Sequence, residues 1–230
     1  MSTKRIRLWD LPTRVFHWAL VLLVVASFVS GKIGGNAMVW HGRFGLAILG
    51  LLSFRLLWGV IGSTYARFLT FLPAPAAVVA YLRGQWRGLG HNPLGALSVF
   101  GLLGLLAFQV GSGLFANDDI AFRGPLQALV SSGLSERLTG WHKLSVNLLL
   151  LLVILHLLAI GFYAHAKGDN LLKPMLTGWK EVDPEQGPPA TGGGPLAFSV
   201  ALAFAIAAVY AGSGAWLPAP AAVPVSAPAW

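Results

Sequence analysis

Four histidines, His17, His41, His142 and His156, lie inside the most apolar stretches of this 230-residue chain. An ionisable side chain in a lipid-spanning segment is costly and marks function by default. Neutral imidazole is a common iron ligand, and two facing imidazoles fill both axial positions of a haem. Such ligation leaves no open site on the iron, which suits electron transfer rather than oxygen chemistry. Four histidines, two towards each membrane side, predict axial ligands for two stacked haems.

The elements that must position them are membrane helices. The chain is 56% hydrophobic and 10% charged, with mean hydropathy +0.69, where a soluble domain carries about 25% charged residues. Cysteine is absent, which excludes disulfides, thiolate metal sites and covalent haem attachment. A membrane helix needs about 20 mostly apolar residues. Five stretches qualify, at residues 13–30, 40–61, 93–115, 138–163 and 195–217. Asp10-Leu11-Pro12-Thr13 opens the first with a helix-start signal. That stretch lacks a small-x-small cleavage site and is read as retained. The formal charge of +8 is read as positive-inside bias, not as a nucleic-acid footprint. Ten Lys and Arg flank one side: Lys4, Arg5, Arg7, Arg14, Arg67, Arg83, Arg87, Lys167, Lys173 and Lys180. Five flank the other: Lys32, Arg43, Arg123, Arg137 and Lys143. The ten-residue side is expected to be cytoplasmic, with the N-terminus inside and, after five spans, the C-terminus outside.

This topology pairs the histidines. His142 and His156 are 14 residues apart in one span, which puts them within about 40° of one helix face and roughly 21 Å apart along the axis. His17 starts the first span inside, level with His156. His41 starts the second span outside, level with His142. The expected pairs are therefore His17 with His156 on the cytoplasmic side and His41 with His142 on the outer side. Two competing explanations are polar residues bonding between helices and a proton relay, the latter weakened by the scarcity of Asp and Glu in the spans. A transporter should show inverted repeats or broken helices, and neither is evident.

Haem propionates call for cations. Arg55 lies 14 residues after His41 on the same helix face and is a candidate partner for an inner propionate, with snorkelling to headgroups as the alternative. Arg43 and Lys143 adjoin ligand positions and are further candidates. Gly45, one turn after His41, offers room for a macrocycle. His91 and His165 fall in cytoplasmic segments, where they are either surface residues or proton carriers at a quinone site. Trp9, Trp18, Trp40, Trp58, Trp86, Trp141 and Trp179 are read as interfacial belt residues. Residues 66–90 look like an interfacial amphipathic stretch. Residues 181–194 have flexible-linker composition, and 218–230 form a Pro- and Ala-rich tail.

Several pieces of the chain carry a family resemblance: RIRLWDLPTRVFHWAL, WHGRFGLAILGLLSFRLLWGVIGSTYARF, GHNPLGALS, GWHKLSVNLLLLLVILHLLAI and DNLLKPMLTGWK. Together, over roughly residues 4–180, they resemble the bacterial cytochrome b561 family and the related b-type cytochrome subunits of nickel–iron hydrogenases. The resemblance implies a four-helix transmembrane diheme bundle at 1–180, its ligands mapping onto His17, His41, His142 and His156. The linker, a fifth C-terminal transmembrane helix at 195–217 and the tail are additions to that core. It also implies a bacterial inner-membrane protein exchanging electrons between the quinone pool and a periplasmic partner such as a c-type cytochrome or hydrogenase. Alternatives are a superoxide:quinone oxidoreductase, with Arg43 and Lys143 attracting the anion, and a cytochrome b membrane-anchor subunit of a larger redox complex. No nucleic-acid partner is expected, and the added helix and tail are suited to contacts with a partner or an oligomer mate.

Overall fold

A computed structural model describes residues 3–120, 122–183 and 187–218. Its order is β1 (Lys4–Arg7), α1 (Leu11–Ile33), α2 (Met38–Ile61), α3 (Pro75–Leu82), α4 (Pro93–Leu114), α5 (Ser132–Ala166), α6 (Leu172–Thr177), β2 (Trp179–Val182) and α7 (Pro195–Gly212). Helices α1, α2, α4, α5 and α7 are long and apolar enough to cross a membrane. The chain is an all-α, multi-pass membrane protein: a four-helix bundle plus a fifth, C-terminal helix.

Polar caps, rather than the limits of apolar sequence, set where α1, α4 and α5 begin. The Asp10 carboxylate accepts the Thr13 N–H at 2.6 Å, with Pro12 in the first turn of α1. Asn92 accepts the Gly95 N–H at 2.8 Å ahead of Pro93. The Ser131 hydroxyl accepts from Leu134 N–H, so α5 runs 35 residues from Ser132, where hydropathy alone predicts a start near 138. Each cap satisfies a backbone donor that the helix leaves unpaired. The fifth span ends sooner than its apolar run suggests. Gly214 takes φ +67°, a region glycine enters without strain, and the Trp216 indole donates back to Ala211 O at 2.9 Å.

Helix α1 packs on α2 and α4 on α5, α2 touches α4, and α7 lies along α2, while α1 and α5 hardly meet. The bundle is therefore two helical hairpins joined through α2 and α4. Ile48 and Leu52 of α2, Leu106 and Val110 of α4 and Leu149 of α5 form that joint. In lipid the joint gains little from leaving the solvent, and close van der Waals packing holds it. The α2–α7 contact relies on small residues. Ala201 and Ala205 are buried against Phe54 and Trp58, and a Cβ on Gly50 would lie 2.9 Å from Val209.

Two expectations are corrected at the end of the bundle where the chain begins. Residues 181–183 and 187–194 are not a free linker. Glu181 and Val182 belong to β2, which pairs antiparallel with β1 from Lys4 opposite Val182 to Arg7 opposite Trp179. Beyond it, Tyr65 OH donates to Pro188 O at 2.6 Å, Ala190 N–H to Arg7 O at 2.7 Å and Thr64 N–H to Thr191 O at 2.8 Å. Residues 187–193 thus form a strap. Their Gly and Pro content, which reads as freedom, here permits close approach: Gly193, at φ +67°, lies against Trp58. Nor is Trp58 a belt residue, since under this strap it is 1% exposed. Trp9 is likewise buried. Residues 184–186 of the expected linker and 219–230 of the expected tail lie outside the described residues.

The β1–β2 ribbon ties the chain before α1 to the chain after α5. Four crossings lie between them, the even number that a same-side pairing demands. We call this the ribbon end and its opposite the far end.

Candidate functional site

The four intramembrane histidines come together as two pairs. At the far end, His41 near the start of α2 faces His142 of α5, with ring centres 6.0 Å apart and ring planes at 87°. Each ring is tied to the preceding helix of its own hairpin. His41 Nδ1 lies 2.8 Å from Ser27 O and 3.3 Å from Ser27 Oγ. His142 Nδ1 lies 2.8 Å from Gln109 O and 3.3 Å from Ser112 Oγ. A carbonyl only accepts, so both Nδ1 atoms carry the proton. Each Nε2 then presents a lone pair, and neither makes a hydrogen bond among the described residues. The Gln109 side chain holds the His142 backbone, donating to His142 O at 3.0 Å while accepting from the Ser145 hydroxyl.

At the ribbon end, His17 of α1 and His156 of α5 lie within electrostatic reach of each other. His17 Nδ1 is shut off from solvent and has no hydrogen-bond partner among the described residues. The Trp18 ring meets the His17 ring edge-on at 5.0 Å. Arg55, at 3% exposed, donates to Ala66 O at 3.0 Å and stacks 4.5 Å over the Phe68 ring. Asp10 is its nearby counter-charge, and the Asp10 carboxylate also accepts from Trp58 Nε1 at 3.2 Å and from the Ser63 hydroxyl.

His91 is misread by position alone. It lies in a connection, but its ring is packed between Trp9 at 4.8 Å and Phe71 at 4.5 Å. Its Nδ1 is enclosed and has no hydrogen-bond partner among the described residues. Desolvation, with smaller contributions from Arg55, His156 and His17, lowers its pKa to about 3. His91 also lines a cavity of about 370 Å³ with Tyr65, Phe71, Trp86, Arg87 and Gly187 of the strap. Beside it, Asn92 Nδ2 donates to Tyr163 OH at 2.8 Å, and Tyr163 OH meets Tyr81 OH. His165, by contrast, is exposed.

The remaining candidates are more peripheral. Arg43 is exposed and lies 4.8 Å over the Trp40 ring. Lys143 is exposed but within electrostatic reach of His142. A Cβ on Gly45 would meet nothing within 4 Å, so the helix surface there is open to a large planar group.

The residues fit a haem. A metal ion bonded at about 2 Å to a nitrogen of each ring holds two imidazole centres about 6 Å apart, the spacing of His41 and His142. Among the described residues no three His, Cys, Asp or Glu side chains gather. Pairs of histidines suit an iron that brings its other four ligands in a macrocycle. Comparison with known proteins agrees. The family model for prokaryotic cytochrome b561 matches residues 8–178. The chain belongs to the prokaryotic cytochrome b561 family. It is a membrane b-type cytochrome of electron transfer, and its cofactor is haem b. A probable Ni/Fe-hydrogenase 1 B-type cytochrome subunit of Escherichia coli (strain K12) is 22% identical over 215 residues, covering 75% of this chain and 89% of the relative. A probable Ni/Fe-hydrogenase B-type cytochrome subunit of Azotobacter chroococcum mcd 1 is 23% identical, covering 75% and 87%. One from Cupriavidus necator is 25% identical, covering 78% and 88%. No solved structure matches the chain.

The residues that sequence reading misses are Ser27, Gln109 and Gly31 around the far-end rings; His91 it names, but without the enclosure that Trp9 and Phe71 give it. A backbone carbonyl has no letter in the sequence. The one available signal is a Ser-Gly pair, Ser30-Gly31 and Ser112-Gly113, near the end of the first helix of each hairpin.

Proposed function

We propose that this cytochrome binds two b haems, one between His17 and His156 and one between His41 and His142, and carries electrons across the bacterial inner membrane between the quinone pool and a periplasmic redox partner. The reading rests above all on the far-end pair, whose spacing and Nδ1 bonds leave both Nε2 atoms for one iron. Haem, when bound, supplies one-electron chemistry, and histidine on both faces closes it to direct oxygen binding. The chain supplies ligands, orientation and a dry setting. Arg55 is the assigned propionate partner at the ribbon end, and Arg43 and Lys143 at the far end. Gly45 gives the macrocycle room. Quinone is assigned to the ribbon end, where the His91 cavity offers aromatic faces and a neutral imidazole. The ribbon end is the cytoplasmic one, because it carries twice the Lys and Arg of the other.

Service as the membrane subunit of a larger complex is a second reading. It is favoured by relatives whose names are those of hydrogenase B-type cytochrome subunits. In that case residues 195–218, which add an exposed apolar helix to the 1–180 core, supply contact surface.

A reduced-minus-oxidised spectrum of the purified chain, with haem quantified against protein, tests the proposal. A b-type spectrum with two haems per chain is expected. No b-type signal overturns it, and one haem per chain removes the two-site form.

A further inference from the structure

The far-end histidines are held by the same device twice. In α1, Ser27 O accepts from the His41 ring, Ser30 follows three residues later and Gly31 four residues later. In α4, Gln109 O accepts from the His142 ring, with Ser112 and Gly113 at the same offsets. Within a helix, the glycine N–H is the ordinary partner of that same carbonyl. A carbonyl oxygen has two lone pairs, so it serves both the helix and the imidazole.

The serine and glycine roles repeat as well. Ser30 Oγ donates to Ala26 O at 2.7 Å and Ser27 O at 3.0 Å. Ser112 Oγ donates to Phe108 O at 2.8 Å and Gln109 O at 3.1 Å. A Cβ on Gly31 would lie 2.9 Å from His41 Nδ1 and 3.1 Å from its Cε1. One on Gly113 would lie 3.0 Å from His142 Cε1 and 3.2 Å from its Nδ1. Each ring therefore lies against bare backbone that a methyl group would obstruct. Both hairpins hold their ring in this way, and the two rings end up at 87°.

We infer that Ser27–Gly31 and Gln109–Gly113 are two copies of one backbone clamp, which fixes the His41 and His142 imidazoles perpendicular to each other as ligands of a single haem. The inference rests on the ligand assignment proposed above. Gly31 and Gly113 are positioning residues, acting on the iron only through the rings. Each Nδ1–H···O=C bond also makes its imidazole a more basic ligand, as hydrogen bonds behind metal-bound histidines do. Ring planes at right angles leave two iron d orbitals nearly equal in energy, and a low-spin ferric haem then gives a strongly anisotropic electron paramagnetic resonance signal. Parallel planes give the ordinary rhombic one.

The test uses the purified full chain in its oxidised form at low temperature. The wild type is expected to show a strongly anisotropic low-spin signal. Gly31→Ala and Gly113→Ala, each tilting one ring, are expected to lower its largest g value while the haem content stays unchanged. Gly133→Ala, remote from both rings at the start of α5, is expected to leave the signal in place. A wild-type spectrum holding only rhombic signals overturns the clamp without any variant, so poor folding of a variant does not protect it. Signals indifferent to both glycine changes, with haem retained, overturn it too. Absence of haem overturns the ligand assignment and the clamp together. A single haem whose signal follows Gly31 and Gly113 keeps the clamp and removes the His17/His156 site.

Discussion

The two ends of the bundle treat their histidines differently. At the far end His41 and His142 each give Nδ1 to a backbone carbonyl, and a glycine on the same neighbouring helix makes room for the ring. At the ribbon end His17 Nδ1 is enclosed and has no hydrogen-bond partner among the described residues, and His91, packed on Trp9, lies within electrostatic reach of the pair and of Arg55 with its counter-charge Asp10. One end thus orients its ligands with backbone, which is rigid and carries no net charge. The other surrounds them with side chains that can titrate or bind. A site that only relays an electron gains from the first arrangement. A site that must also meet a small molecule and its protons gains from the second.

The largest expected effect separates the ends outright. His142→Leu should halve the haem per chain and spare the ribbon-end site, while His156→Leu should do the reverse, as read by haem quantification and by which spectral component is lost. Equal loss of both components from either variant would mean that the ends are not independent. Next comes Arg55→Met. It removes a buried cation together with its bond to Ala66 and should cost about 1.5–3 kcal/mol, with weaker haem retention at the ribbon end alone. Thermal melts combined with haem titration would measure this.

A pH effect follows, also confined to the ribbon end. His91 titrates at about 3 in the fold against about 6.5 when unfolded. Its folded value is depressed, so the unfolded chain takes up the proton first as pH falls. The contribution is complete above about pH 6.5 and drains between there and about 3, by at most about 1.4 kcal/mol per pH unit. His91→Phe should flatten that part of the stability–pH curve, and an unchanged curve would show that the ring is not held neutral. The smallest effect belongs to Ser27→Ala at the far end. It removes only the 3.3 Å hydroxyl contact and leaves the carbonyl bond, so a change within about 0.5 kcal/mol is expected.

What the sequence discloses here is what side-chain letters can carry. Apolar runs show the five spans, and the Lys and Arg asymmetry with the 14-residue spacing of His142 and His156 proposes a depth for each histidine. The caps at Asp10 and Asn92 are visible for the same reason. Three things stay hidden. The clamp depends on carbonyls, and its Ser-Gly pairs lie 10 residues before His41 but 29 before His142, so no constant period announces a repeat. The enclosure of His91 needs Trp9 and Phe71, brought from two distant connections. The strap is disguised by its own composition: Gly and Pro report what a backbone is free to do, and only the partners Arg7, Thr64 and Tyr65 decide that it is held.

The β1–β2 ribbon bears on how the molecule is made. Its first strand, Lys4–Arg7, precedes α1 in the chain, but its partner, Trp179–Val182, is made only after α1, α2, α4 and α5. Pairing is therefore a late event, and it is available only when an even number of crossings leaves both strands on one side. A chain in which one of these four helices fails to cross leaves the two strands on opposite sides and unpaired. The closure that braces the ribbon end thus depends on the parity of the crossings as well as on the residues of the two strands.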